Sequence, residues 1–244
     1  MLTRRSLLAA FASTLACRRA PQKEALLWPR TRTVEGVELI ELFPNDADET
    51  APLIFAIHGM GDRPDRWVDE WRRFPQKAHI VLPRAFTPHG GGFSWFEYKD
   101  GMTDEQFGAE VGASEQRLWR AIAALAGKRK PIVTGFSQGA ILSFAIAGQH
   151  PDAVSHAFPV SGSCPGPLLP KSKAAPLSAL HGTSDTVLDI KWGREAVHAF
   201  AERGNDATMK EYEGVGHTIT PAMRRDLWEA IERALPAAGA AARP

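Results

Sequence analysis

The chain has 244 residues, 29 Lys and Arg against 28 Asp and Glu, and a hydrophobic share of 44%. That length and composition suffice for one sizeable domain with a buried core, and a near-neutral charge without a basic, aromatic-interleaved stripe argues against nucleic acid as a partner. Two cysteines, Cys17 and Cys164, cannot make a disulfide framework, and no His or Cys spacing or H-E-x-x-H run gives a metal site, so neither metal nor other cofactor is expected.

Met1-Leu2-Thr3-Arg4-Arg5 is basic, and Ser6 to Ala16 is an apolar run without charge. The run is too short to span a bilayer and fits the apolar core of a signal peptide. Thr3 to Leu8 resembles a twin-arginine export signal. Ser13-Thr14-Leu15-Ala16-Cys17 resembles a bacterial lipobox, with Thr14 where leucine is usual. Residues 1–17 are therefore expected to be an export segment, leaving the protein periplasmic or anchored to a membrane through a lipidated Cys17. Simple secretion after cleavage is the alternative. Residues 18–30 read as a polar tether, 31–236 as one domain, and 237–244 as a frayed tail rich in Ala and Gly.

Thr33 to Leu42 alternates polar and apolar residues, which predicts a half-exposed antiparallel edge strand. Pro52 to Ile57 is unbroken apolar sequence, as in a strand covered on both faces, and His58-Gly59-Met60-Gly61-Asp62 follows as a tight loop. Pro64 to Phe74 has helical spacing, with Trp67, Val68, Trp71 and Phe74 on one face, and Ala78 to Pro83 is another buried strand. Arg84 to Tyr98 reads as a long irregular loop, a length that compact domains usually reserve for function. Met102 to Leu125 is helical, with Gly108 and Gly112 expected to break or bend its first part.

Pro131-Ile132-Val133-Thr134 then runs into Gly135-Phe136-Ser137-Gln138-Gly139, and Ala140 onward is helical in composition. Strand, abrupt turn and helix are the context that a G-x-S-x-G nucleophile elbow requires. Glycine on both sides of the serine removes a Cβ that would strike strand or helix, and a helix starting at the serine aims its unsatisfied N–H groups at a developing oxyanion. Downstream, Ala157 to Gly162 and Pro176 to Leu180 read as strands, Ile190 to Arg203 as a helix, Thr208 to Tyr212 as a strand and Pro221 to Leu235 as the last helix. Alternation of this kind predicts an α/β fold, a doubly wound, mostly parallel sheet flanked by helices.

A serine hydroxyl needs a base and an acid that orients the base, and in this arrangement they follow in the order serine, acid, histidine. His217 lies in Gly214-Val215-Gly216-His217, between the last strand and the last helix, and is the preferred base. Asp185, after a strand and a Gly-Thr-Ser turn, is the preferred acid; Asp189 is its rival, and Asp152 lies too near the elbow helix. An oxyanion needs backbone N–H donors, for which Gln138 and Met60 are the candidates. His58 precedes the nucleophile and is read as ordering its own loop. His181 is expected to bond within the acid loop, and His150 and His198 to be packing or surface residues. Phe93, Trp95 and Phe96 are candidates for an acyl groove, with burial in the core as the other reading; Cys164 has no basic neighbour and is read as inert.

These stretches, with Ser94-Trp95-Phe96-Glu97, His181-Gly182-Thr183-Ser184-Asp185 and Gly216-His217-Thr218-Ile219, resemble the phospholipase/carboxylesterase family of α/β-hydrolases, which includes acyl-protein thioesterases. The resemblance implies an α/β-hydrolase fold, with Ser137 as nucleophile, Asp185 as acid, His217 as base, and Met60 and Gln138 as N–H donors. Ala140, Val187-Leu188-Asp189 and Thr218 depart from the family's usual residues, the last two around the acid–base pair. The expected activity is hydrolysis of a small ester, with thioesters and lysophospholipids as variants. A serine peptidase on the same fold and a non-catalytic lipoprotein are the alternatives, and the sequence does not address oligomeric state.

Overall fold

In a computed structural model of the chain, which describes residues 29–236, the apolar runs become strands and the amphipathic stretches helices. In chain order they are β1 (Arg30–Val34), β2 (Val37–Leu42), β3 (Leu53–Ile57), α1 (Val68–Trp71), β4 (His79–Pro83), β5 (Thr87–His89), β6 (Gly92–Ser94), α2 (Asp104–Ala126), β7 (Ile132–Phe136), α3 (Gln138–Gln149), β8 (His156–Val160), β9 (Leu177–Gly182), α4 (Ile190–Glu202), β10 (Ala207–Tyr212) and α5 (Pro221–Ala234). The expected export segment with Cys17, the tether as far as residue 28 and the tail 237–244 lie outside the described residues.

Eight strands form one sheet in the order β1-β2-β4-β3-β7-β8-β9-β10. The β1–β2 and β2–β4 pairs are antiparallel and the others parallel. Successive side chains on a strand face opposite ways. On β3, therefore, Leu53, Phe55 and Ile57 join the core beneath α2, α3 and α4, and Ile54 and Ala56 the core beneath α1 and α5. Both faces of the central strands are covered, which is why they carry no polar alternation. The α/β-hydrolase fold expected from the sequence is the fold found.

Local details depart from expectation. The stretch read as one edge strand over 33–42 is a hairpin, and β1, not β2, is the edge. Its turn is Glu35-Gly36 with φ 49° and 73°, the two-residue geometry that matches strand twist. Glutamate is an unusual occupant there, so Gly36 alone marks the turn. Arg30, last residue of the expected tether, is already in β1. Pro64 to Phe74 is a 3₁₀ turn, Pro64–Trp67, followed by the single turn of α1, with Trp71 and Phe74 as its buried anchors. The loop 84–98 contains the β5–β6 hairpin. Helix α2 runs unbroken through both glycines, because the 163–169 loop packs on them: a Cβ at Gly108 would stand 2.9 Å from Pro167 Cγ. Its start is fixed by a capping box between Thr103 and Gln106.

Parallel strands send their following loops to one edge, and in open α/β sheets that edge holds the site. Here the loops after β3, β7, β8, β9 and β10 share it. Strands β3 and β7 are direct neighbours, pairing Ile57 with Gly135, so the His58 loop and the Ser137 turn emerge side by side.

Candidate active site

Ser137 sits between β7 and α3 at φ 56°, ψ −117°, a conformation that a non-glycine residue holds only when its surroundings impose it. The imposition is steric. A Cβ at Gly135 would lie 2.4 Å from the Gly139 backbone, and one at Gly139 would lie 2.0 Å from the Ile57 carbonyl. The serine N–H is pinned to the Val160 carbonyl at 3.1 Å. Gln138 opens α3, so its N–H is among the first-turn donors that have no acceptor earlier in the helix.

The loops after β9 and β10 are laced together. Ser184 donates its N–H to the Val215 carbonyl at 2.9 Å, and Gly214 donates its N–H to Thr183 Oγ1 at 2.9 Å. The crossing is so close that a Cβ on Gly182 would stand 2.2 Å from the Val215 carbonyl. The lacing brings together the two residues selected from the sequence: His217 Nδ1 is 2.7 Å from Asp185 Oδ2. The other carboxylate oxygen of Asp185 accepts the N–H groups of Val187 and Leu188, each at 2.9 Å. Burial opposes the charge on this carboxyl, but the His217 bond and the two amides outweigh it and hold it below the usual carboxylate range. The His217 ring rests against Phe136, the residue before Ser137, at 4.8 Å between centroids. Nδ1 being committed to Asp185, Nε2 is the remaining ring nitrogen.

The other candidates are placed elsewhere. Asp189 caps α4 through Lys191 N–H, and Asp152 pairs with Lys173. His181 is the exception: inside the acid loop its Nε2 lies 2.9 Å from the Leu188 carbonyl and 3.3 Å from Asp185 Oδ2. His150 bonds Glu115 and stacks on Trp119; His198 is at the surface beside Glu202. His58 is buried and faces the Gly59 carbonyl through Nδ1 (2.7 Å), while Nε2 accepts the Ala85 N–H (3.2 Å). Burial depresses its pKa, which favours the neutral ring such a pair of bonds needs. Among the described residues no group of three His, Cys, Asp or Glu is placed to hold a metal.

A cavity of about 670 Å³ opens over Ser137. Phe96, Phe107, Ile141, Leu169 and Leu188 give it apolar walls, and Met60, Tyr98, Val187 and Trp192, large hydrophobic side chains left exposed, ring its mouth. Of the three groove candidates only Phe96 lines it. Trp95 is buried at 2% exposure, its indole spent on the His58 carbonyl, and Phe93 lies under the Arg84 guanidinium (4.6 Å) beside a separate hollow. Strand β6 ends at Ser94 and the chain bends at Trp95 and Phe96, which splits the three. Most of the wall comes instead from the start of α2, the 163–169 loop and residues 187–196, segments without a local signature. Cys164 lines the cavity too; burial first, then Asp104, pushes its thiol far up, consistent with an inert reading.

Comparison with known proteins agrees with this architecture. The model of the phospholipase/carboxylesterase family matches residues 40–235. Esterase YpfH of Escherichia coli (strain K12) is 28% identical over 179 residues, covering 68% of this chain and 76% of its own. Acyl-protein thioesterase 1 of Kluyveromyces lactis is 26% identical over 209 residues, 75% of this chain and 92% of its own. Among solved structures, esterase PE8 superposes with a TM-score of 0.71 at 22% identity, covering 80% of this chain and 97% of its own. At that identity the likeness speaks for the fold. A match across most of the domain, on an α/β-hydrolase sheet, places this chain in the phospholipase/carboxylesterase family, as a carboxylesterase-type hydrolase.

Proposed function

We propose that this chain is an exported serine esterase that cleaves carboxylic esters or thioesters through an acyl-serine. Ser137 is the nucleophile, His217 the general base, Asp185 the acid that orients it, and the N–H groups of Met60 and Gln138 hold the oxyanion. The observation that carries the reading is the strained Ser137 turn, locked between glycines, whose preceding residue Phe136 packs on the His217 ring of the Asp185–His217 pair. Strain of this kind persists where the surroundings over-determine it, and it lifts the hydroxyl clear of strand and helix.

The chemistry follows from the arrangement. As the Ser137 oxygen attacks the acyl carbon, its proton passes to His217 Nε2, and the imidazolium is stabilised by the ionised Asp185 across 2.7 Å. The carbonyl oxygen becomes an oxyanion against the two amides; collapse expels the alcohol or thiol, which takes the proton from His217. Water, deprotonated by the same nitrogen, then releases the acid and restores the serine. The apolar cavity supports an acyl chain as the group held during transfer, and the names of relatives support both ester and thioester as the bond broken. Export rests on the Met1–Cys17 sequence, and an exported enzyme would not meet lipidated proteins of the cytosol.

The test is a fluorophosphonate that labels serine hydrolases, combined with a chain-length series of p-nitrophenyl esters, a thioester and a matched anilide. Wild type is expected to be labelled at Ser137 and to turn over esters after a burst, and Ser137→Ala to lose both. Anilide turnover equal to ester turnover would move the assignment to a peptidase; an unlabelled, inactive wild type would make the chain a non-catalytic relative.

A further inference from the structure

The two proposed oxyanion donors belong to different elements, Met60 to the loop after β3 and Gln138 to the start of α3, so something must fix the gap between them. The Gln138 side chain is buried and bonds residues 94–96, the end of β6 and the bend that follows it. Its Oε1 accepts the Trp95 N–H at 2.9 Å and faces the Ser94 hydroxyl at 3.1 Å, and its Nε2 donates to the Phe96 carbonyl at 3.0 Å. Trp95 in turn sends its indole N–H to the carbonyl of His58, at 2.8 Å, two residues before Met60. The same loop is pinned on its far side, where Gly61 N–H donates to the Phe93 carbonyl (2.8 Å) and Phe93 N–H to the Asp62 carbonyl (3.0 Å). Helix α2 anchors the middle of the chain of contacts through Ser114 Oγ, 2.6 Å from the Trp95 carbonyl. His58, Ser94, Trp95 and Gln138 are all at least nine-tenths buried, so these bonds do not exchange with water.

We infer that Trp95 and the side chain of Gln138 are positioning residues of the oxyanion hole: a continuous strut, Gln138 amide to 94–96 backbone to Trp95 indole to His58 carbonyl, that sets the distance between the two N–H donors. The inference rests on the assignment of those donors in the proposed esterase reaction. Neither side chain touches the reacting atoms. Their effect is expected in the transition state, because amides aimed at an oxyanion act within a few tenths of an ångström of 2.7–3.1 Å, while an acyl chain in the cavity is held by other residues.

Trp95→Phe keeps most of the ring and removes the indole donor; Gln138→Glu keeps the acceptor for Trp95 N–H and sets a carboxylate oxygen against the Phe96 carbonyl. Sites are counted by phosphonate titration, so that misfolded protein drops out. Both variants are expected to lose on the order of 10- to 100-fold in kcat with KM within about twofold, and to bind an alkylboronic acid, a tetrahedral mimic, more weakly by the same factor. The product carboxylic acid should bind them as it binds wild type. A lower thermal midpoint with unchanged kcat per titrated site would reduce the strut to a structural tie and overturn the inference. So would a fall in kcat without the matching loss of boronate affinity. Should Trp95→Phe fail to fold, Gln138→Glu and Ser114→Ala, expected to give a smaller loss of the same pattern, decide. Wild type that is neither labelled nor active would sink the esterase assignment itself, a result distinguishable from failure of the strut.

Discussion

Two carboxylate–histidine pairs sit at opposite regions of the sheet, and their difference separates structure from chemistry. Near the β1 edge, Glu41 on β2 lies 2.8 Å from His79 Nε2 and 2.8 Å from Arg30 Nε, and the histidine stacks on Phe43. At the carboxyl edge, Asp185 lies 2.7 Å from His217. Both carboxylates are fully covered. His79 is shut in at 2% side-chain exposure, however, whereas His217 keeps 15%. The Glu41 carboxylate is closed by a cation and serves to hold β1, β2 and β4 together; the Asp185 carboxylate is closed by two backbone amides and by the buried ring of His181, 3.3 Å from Oδ2, which leaves His217 as its partly exposed partner. A buried acid–imidazole pair is therefore no signature of catalysis until one ring nitrogen is left open beside a nucleophile.

The sharpest way to break this contrast is Asp185→Asn. Loss of the orienting charge should lower kcat by about 10³–10⁴-fold while leaving the thermal midpoint close to wild type, as read by steady-state kinetics and calorimetry. Retained activity would remove the Asp185–His217 pair from the mechanism. Glu41→Gln should do the reverse: kcat/KM unchanged, and a stability loss of about 2–4 kcal/mol by urea denaturation, since a buried ionic partner has been withdrawn.

The acid limb of stability sharpens the same point. Burial opposes ionisation of Glu41, but bonds from His79 and Arg30 outweigh it and lower its pKa from 4.5 to about 2. A depressed folded pKa means that the stabilisation is complete above about pH 4.5 and drains away as pH falls toward 2. Wild-type unfolding free energy should thus drop across that window more steeply than that of Glu41→Gln. Smallest of all, Arg194→Ala, which removes a two-bond pair with Glu211 on the surface of α4 and β10, should leave both kcat/KM and thermal midpoint unmoved.

Legibility in the sequence followed the range of the forces involved. The elbow could be read because its signature is a short run of chain, although only part of its constraint is local: Gly135 meets the backbone of Gly139 within the turn, whereas Gly139 meets the carbonyls of Ile57 and His58 on the neighbouring strand and loop. The Asp185–His217 pair could be anticipated because each residue stands at a strand end before a helix. The β1–β2 hairpin escaped because Glu35 carries the positive φ that Asn, Asp or Gly would have advertised. The unbroken course of α2 escaped because the intrinsic cost of Gly108 is offset by a proline sixty residues away, packed where a side chain would be.

What the order of residues determined by itself was the alternation of strand and helix, the turn that carries Ser137 and the candidates proposed as nucleophile, base and acid, because these are read from periodicity and spacing within short windows. What only the tertiary structure decided was which walls enclose the cavity, that Phe96 enters it while Trp95 and Phe93 do not, and that the Gln138 side chain reaches residues 94–96. Those outcomes depend on segments far apart in the chain competing for one volume and one set of hydrogen-bond partners, and such competition is settled by packing in three dimensions.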